Sequence, residues 1–263
     1  MIKKMICFLF SLMSMGYAAN NSFAFQAGHQ EVNVTVTNSY VSRYIWRGQD
    51  VYADNDAAYQ PSVDISLPGF LRGTDVDFNV WGSFPLNKGH ELADELDYTL
   101  SFSRDLSDLY NLSLGYTYYD YPKANKYSDI QEPWVSFTFN KIPYLPLDVS
   151  FNIFAGYDFA VSSGGPEEGW YYSWGLSTEL PLPECSFTQN GQSLSLGITN
   201  WGQDGVAGLK PSSLYATEIN LSTTYAVGQF SIAPKLSYTI NYEEEINNGN
   251  EELYGGVDLS YAF

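Results

Sequence analysis

From about Val32 to Phe263 the chain alternates apolar and polar residues with a period of two, and no stretch of comparable length follows the 3.6-residue period of a helix. Val76, Phe78, Val80 and Phe84 fall on one face of a segment whose other face carries Asp75, Asp77, Asn79 and Ser83. The next segment sets Tyr98, Leu100 and Phe102 against Asp97, Thr99, Ser101 and Ser103. The split recurs at Leu112 to Tyr118, Val135 to Phe139, Val149 to Phe159, Tyr172 to Leu180, Leu194 to Ile198, Tyr215 to Tyr225, Phe230 to Tyr242 and Leu253 to Phe263. With Val32 to Arg47 and Tyr59 to Leu67 it predicts about twelve strands, an even number as single-chain bacterial barrels have.

Connections alternate in length. Short turns are predicted at Pro68 to Thr74, Ser107 to Asn111, Lys141 to Pro146 and Val227 to Gln229. Longer loops rich in Asp, Glu, Asn and Gly are predicted at Gly48 to Ala58, Pro85 to Asp94, Pro122 to Gln131, Ser162 to Gly169, Gln203 to Ser213 and Glu243 to Glu252. Pro181 to Gln192 is longer than a short turn should be. The expected fold is all-β: a transmembrane antiparallel up-and-down β-barrel of about 12 strands.

Alternation would also suit a soluble sandwich, so the contents of the faces matter. The polar faces hold Ser, Thr, Asn, Gly and carboxylates. The apolar faces end in aromatic residues, among them Tyr44, Trp46, Tyr59, Phe84, Tyr98, Tyr118, Tyr157, Phe159, Trp170, Tyr172, Tyr215 and Tyr242, which fit the interfacial girdles of a membrane barrel. Aromatic strand-formers packed in a core are the alternative. The chain ends Asp258-Leu259-Ser260-Tyr261-Ala262-Phe263, which resembles the C-terminal assembly signature of outer-membrane barrels. Barrel assembly machinery acting through Phe263 is therefore an expected partner, together with outer-membrane lipid and lipopolysaccharide.

Lys3 and Lys4 precede an apolar stretch from Met5 to Met15 and then small residues, the pattern of a secretory signal peptide. Residues 1–24 are expected to be the leader, cut after Ala24 or alternatively after Ala18, and 25–263 the barrel. That stretch is too short to span a bilayer as a helix. Export to the bacterial outer membrane is expected. Losing two lysines leaves 10 Lys and Arg against 30 Asp and Glu, a net charge of about −20 that argues against nucleic-acid partners. Cys185 is the one cysteine beyond the leader, so no intramolecular disulfide is expected.

Ser42-Arg43-Tyr44-Ile45-Trp46-Arg47-Gly48-Gln49 resembles the Ser-x-Tyr-x-x-Arg-Gly pattern that opens the TorF-type porins, also called the Gcw-chp family. Trp81-Gly82-Ser83 and Glu95-Leu96-Asp97-Tyr98 extend the likeness over most of the chain from Val32. Arg43 stands where that pattern carries an acidic residue. The resemblance implies an outer-membrane porin-like barrel and does not supply a solute.

Phase places Arg43, Arg47 and Lys235 on the inner face with Asp64, Asp75, Asp77, Asp97, Asp148, Asp158, Glu179, Glu218 and Asp258. These twelve are the candidate pore-lining residues. So many carboxylates require water or pairing, because a dry unpaired charge costs several kcal/mol. Arg43 and Arg47, four apart on an extended segment, share a face and are expected to oppose carboxylates such as Asp77 and Asp97 across the pore. Val41 and Ile45 share that phase too, which implies a bulge or a partly packed interior, and a salt-bridge plug filling the barrel is the alternative to an open pore. Carboxylates along a pore favour small cations or neutral polar solutes over anions. The loop carboxylates Asp54, Asp56, Glu167, Glu168 and Glu243 to Glu245 are either a solvated charge run or sites for divalent ions shared with lipopolysaccharide.

An enzyme is not expected: the chain has two histidines, His29 and His90, and no G-x-S-x-G. Neither H-E-x-x-H nor an EF-hand spacing occurs, so no metal or cofactor is expected. A channel for passive diffusion of small polar solutes is the leading function, a non-conducting barrel with a structural or loop-binding role the second, and a secreted β-sandwich lectin the third.

Overall fold

The computed structural model describes residues 25–27, 30–52, 56–87, 94–124, 128–145, 147–163, 165–182, 192–206 and 213–263. The expected leader, Cys185, His29, His90, Asp54 and most of the long 181–192 connection lie outside the described residues.

Twelve strands form the wall: β1 Gln30–Val41, β2 Ala58–Leu67, β3 Asp75–Pro85, β4 Glu95–Ser107, β5 Tyr110–Asp120, β6 Ile130–Phe139, β7 Val149–Ala160, β8 Gly169–Leu182, β9 Gln192–Asp204, β10 Ser213–Thr223, β11 Phe230–Asn241 and β12 Glu252–Ala262. Each pairs antiparallel with its sequence neighbours. β1 also pairs with β12, running from Gly256 opposite Val41 to Ala262 opposite Thr35, and this closes the sheet. Closure leaves no free edge, which is what permits a sheet to sit in lipid. Phe263 extends the seam, its amide donating to the Val34 carbonyl at 2.8 Å.

The outward face is apolar. Phe78, Leu100, Leu114, Ile153, Leu176, Ile198, Ile219 and Leu236, all near mid-strand, are exposed on the isolated chain. A soluble sheet sandwich would bury such residues against a second layer, whereas here one layer curls round on itself. The apolar band facing outward is the pattern of a transmembrane barrel, and the sandwich reading is excluded.

The inward face is small and polar only over the half nearest the short turns. There Asn152 donates to Ser136 at 2.8 Å and to Thr138 at 2.9 Å. Nearer the long loops the same phase brings in Trp81, Tyr119, Trp134, Phe154, Tyr171, Trp201 and Tyr254. Trp134 lies flat across Gly115, where a β-carbon would meet its ring at 2.1 Å.

The wall is irregular between β9 and β10. The register passes there from Trp201 opposite Ala216 to Gly202 opposite Leu214, so Tyr215 is an extra residue. This β-bulge turns both Tyr215 and Ala216 inward, where they are fully buried.

Candidate pore and its loop-side constriction

The first strand ends at Val41 rather than running to Arg47. Residues 42–52 leave the wall and fold into the barrel as a short hairpin, with Ile45 opposite Asp50 and Trp46 opposite Gln49. Its two-residue turn is Arg47-Gly48, with φ of 50° and 82°. That left-handed pair is the type I′ geometry that two-residue hairpins favour, and glycine accommodates the second position.

Gly48 also permits close docking. A β-carbon there would lie 2.6 Å from Ala216 Cβ, so the bulge in β10 and the glycine in the turn fit each other. Tyr215 donates its hydroxyl to the Arg47 carbonyl at 2.8 Å. Asn247, in the loop before β12, brackets the turn: its side-chain amide donates to the Gly48 carbonyl at 3.0 Å, and its Oδ1 accepts from the Asp50 amide at 2.7 Å.

Side chains of the hairpin radiate to nearly every side of the wall. Arg47 grips Glu132 of β6 bidentately, Nη1 to Oε2 at 2.6 Å and Nη2 to Oε1 at 2.8 Å. Its guanidinium lies 4.3 Å from the Trp46 ring centroid, 4.7 Å from Tyr171, 5.1 Å from Phe154 and 5.8 Å from Trp201, a cage of cation–π contacts. Tyr44 donates to Glu95 of β4 at 2.9 Å, and Tyr52 and Ser83 of β3 share a hydrogen bond at 2.8 Å. Gln49 donates to Tyr171 of β8 at 3.2 Å. Arg43 pairs with Glu252 of β12. Burial raises the Tyr52 phenol well above the ordinary tyrosine range, so it meets Ser83 as a neutral group.

Two clusters of buried apolar residues form around this hairpin: Val41, Tyr44, Tyr52 and Ala58 against Trp81, and Tyr171, Val206, Tyr215, Ala216 and Ile246 against Trp201, with Trp46 touching both. Tyr44, Trp46 and Tyr215 therefore belong to the interior, correcting their assignment to the membrane girdle. The reason is chain direction: once β1 stops at Val41, the outward phase no longer applies to residues 44 and 46, and the bulge reverses it at 215.

The hairpin divides the lumen. A cavity of about 370 Å³ on the turn side is lined by Arg43, Trp81, Asp97, Glu218, Lys235 and Tyr254 among others, and one of about 360 Å³ on the loop side by Tyr119, Tyr121, Asp158 and Tyr171. Trp46 borders both.

The twelve charged residues selected by phase occupy different places. Arg43 and Arg47 sit on the inserted segment, and their partners are Glu252 and Glu132 instead of Asp77 and Asp97. Asp64 on β2 accepts from Asn79 at 2.5 Å and from Ser62 at 3.2 Å. Asp77 lies on β3 between Ser66 and Ser101. Asp97 faces the turn-side cavity and Asp158 the loop-side one. Glu179 accepts from Ser193 and Ser195 of β9, Glu218 accepts from Asn220 at 2.8 Å, and Lys235 pairs with Asp258 at 2.9 Å. Asp75 begins β3 and accepts from the Gly69 amide at 2.6 Å, so its carboxylate closes a turn. Asp148 precedes β7 and pairs with Lys141 in an exposed turn, outside the strand wall, because the strand starts one residue later.

Glu132 belongs to the site although it is not among those twelve, and phase could have found it, since it shares the inward register of β6 with Ser136 and Thr138. Glu95 was visible only as part of an acidic run. No group of three or more His, Cys, Asp or Glu among the described residues could hold a metal ion.

No family model and no curated protein matches the chain. Solved structures do. An outer-membrane channel from Pseudomonas putida F1 aligns over 93% of this chain and 100% of its own with a TM-score of 0.52 at 11% identity. A bacterial polysaccharide outer-membrane secretin aligns over 88% and 98% with a TM-score of 0.51 at 8% identity, and the NanC porin over 88% and 98% with 0.50 at 12%. The fold is that of an outer-membrane β-barrel. At such identities the likeness speaks for the fold alone.

Proposed function

We propose that the chain is a porin-like channel of the bacterial outer membrane, passing small polar solutes, cationic or neutral in preference to anionic, through a mouth narrowed by the 42–52 hairpin. The observation that carries this reading is the row of carboxylates on the turn side of the hairpin, where Asp64, Asp77, Asp97, Glu179 and Glu218 stand along the inner wall. A barrel built only to stiffen the membrane would gain from filling that space with apolar or paired groups, since unpaired charges are costly without water. Fixed negative charge along a pore wall attracts cations and repels anions.

The bidentate seating of Arg47 favours a second reading, a barrel closed at rest whose loops serve a binding role. The motif shared with TorF-type porins lies on this hairpin, which supports membership of a porin family with an inserted first loop. Leader removal after Ala24, contact with lipid and lipopolysaccharide, and recognition of Phe263 by barrel assembly machinery belong to the same proposal. No catalytic role, cofactor or nucleic-acid partner is part of it.

Planar bilayers under a salt gradient test it. The expected result is discrete conductance with a cation-selective reversal potential. Anion selectivity would overturn the preference, and silent bilayers from heat-modifiable, folded protein would favour the closed barrel.

A further inference from the structure

We infer that the loop-side cavity is a recognition site for a small organic ammonium ion bearing at least one N–H. This deepens the channel reading by naming a solute class, and rests on it only for the claim that the ion afterwards crosses.

The cavity, about 360 Å³, has the size of a small-molecule site, roughly 300–1,000 Å³. Trp46, Tyr119, Tyr121 and Tyr171 supply aromatic walls, and Asp158 supplies a carboxylate. Asp158 is 4% exposed, its Oδ1 is buried with no hydrogen-bond donor, and Glu132 and Arg47 stand beside it. A buried carboxylate oxygen without a donor is costly, and a ligand that brings an N–H and a positive charge satisfies both needs. Among the described residues, no Lys or Arg side chain lines this cavity. The nearby guanidinium of Arg47 is committed to Glu132 by a hydrogen bond from Nη2 and an ion-pair contact from Nη1.

The same rings already hold one cation. Arg47 stacks on Trp46 and Tyr171 at 4.3 and 4.7 Å, and both residues also line the cavity. Tyrosine and tryptophan rings attract ammonium groups through their negative faces, most strongly where water is excluded. A neutral solute would contribute donors but no charge, leaving two carboxylates, Asp158 and Glu132, facing the single cation Arg47. An anion would meet the carboxylates of Asp158 and Glu167 with no cation on the wall.

The test compares three probes of one shape on the full chain in detergent: propylammonium, 1-propanol and propionate, by titration calorimetry. Propylammonium should bind saturably, while the alcohol and the acid should not. Asp158→Asn should weaken propylammonium about tenfold, roughly 1.4 kcal/mol, and Asp158→Glu should retain most of the affinity. Equal binding of 1-propanol, absence of saturable propylammonium binding, or an Asn variant that binds as tightly as the parent would each overturn the inference. The three-probe comparison on the parent decides even if the Asn variant fails to assemble. Conductance is read separately: a protein that conducts but ignores propylammonium refutes the site and leaves the channel, and one that binds but does not conduct refutes the channel and leaves the site.

Discussion

Arg47 and Glu132, 85 residues apart in sequence, form a bidentate ion pair that joins the tip of an inserted hairpin to the strand wall. Both side chains are nearly fully buried, at 8% and 1% exposure. Removing one partner of such a pair strands a charge and costs about 3–5 kcal/mol. The wall itself is held by strand pairing all round, so the penalty falls on the hairpin. Arg47→Ala and Glu132→Gln should each loosen it, raising single-channel conductance while the folded barrel keeps its heat-modifiable mobility on gels. Arg47→Met combined with Glu132→Gln should destabilise less than either single variant suggests, because no charge is left unpaired. Unchanged conductance in all three would mean that the hairpin does not limit flow.

Docking of the turn depends on backbone shape as much as on charge. Gly48 has φ +82°, and an added β-carbon would come within 2.6 Å of Ala216 Cβ. Gly48→Ala should therefore undock the hairpin through strain and clash together, with a phenotype at least as strong as Arg47→Ala. Tyr215→Phe removes the hydroxyl's bonds to the Arg47 carbonyl and to Gln49, each worth about 1 kcal/mol, and should show a smaller shift in the same direction. Hydrogen exchange at the amides of residues 48–50 reads both. Exchange in Gly48→Ala equal to that of the parent would count against the docking geometry.

Strand count, phase and the alternation of short turns with long loops were legible because each strand has one face toward lipid, and that face must be apolar. Leu114 and Ile198 could face only one way. The inserted hairpin was not legible in the same manner: residues 42–50 keep an alternating look, and a two-residue turn at Arg47-Gly48 is easily read as the end of a strand. The one available signal was the phase conflict, with Val41 and Ile45 sharing the inward face of Arg43 and Arg47. Apolar and cationic residues on the same face of a membrane strand make sense only where that face packs against something inside. Tyr215 was opaque for a different reason, since a bulge changes phase without changing composition. The interior tryptophans Trp81 and Trp201 sit among polar neighbours, and their inward register became meaningful once there was a hairpin for them to pack against.

The orientation of the two faces can be checked at adjacent positions. Leu100 and Ser101 lie at the middle of β4, Leu100 exposed on the outer face and Ser101 between Asp77 and Gly115 on the inner one. An arginine on the lipid face at mid-depth costs about 2–4 kcal/mol, whereas one in a wet lumen meets carboxylates. Leu100→Arg should lower the yield of heat-modifiable barrel in lipid vesicles, and Ser101→Arg should leave it near the parental level. The reverse order would invert the assignment of faces.

Lys235 and Asp258 face each other on neighbouring strands of the wall at 2.9 Å, a cation and an anion that largely cancel. Both are partly exposed, so the pair adds little to stability, and its removal should leave the barrel intact. Its effect on the pore field is larger, because deleting either member uncovers the other. Lys235→Gln leaves Asp258 as an additional fixed negative charge in a lumen already rich in carboxylates, and the reversal potential should move toward stronger cation preference. Asp258→Asn leaves Lys235 uncovered near Glu218 and should move it the opposite way. High salt should shrink both shifts, since screening shortens to about 3 Å at 1 M. Two variants of opposite sign at one place separate a pore field from general damage to the protein: damage would move both reversal potentials alike, and a lumen that carries no ions would move neither.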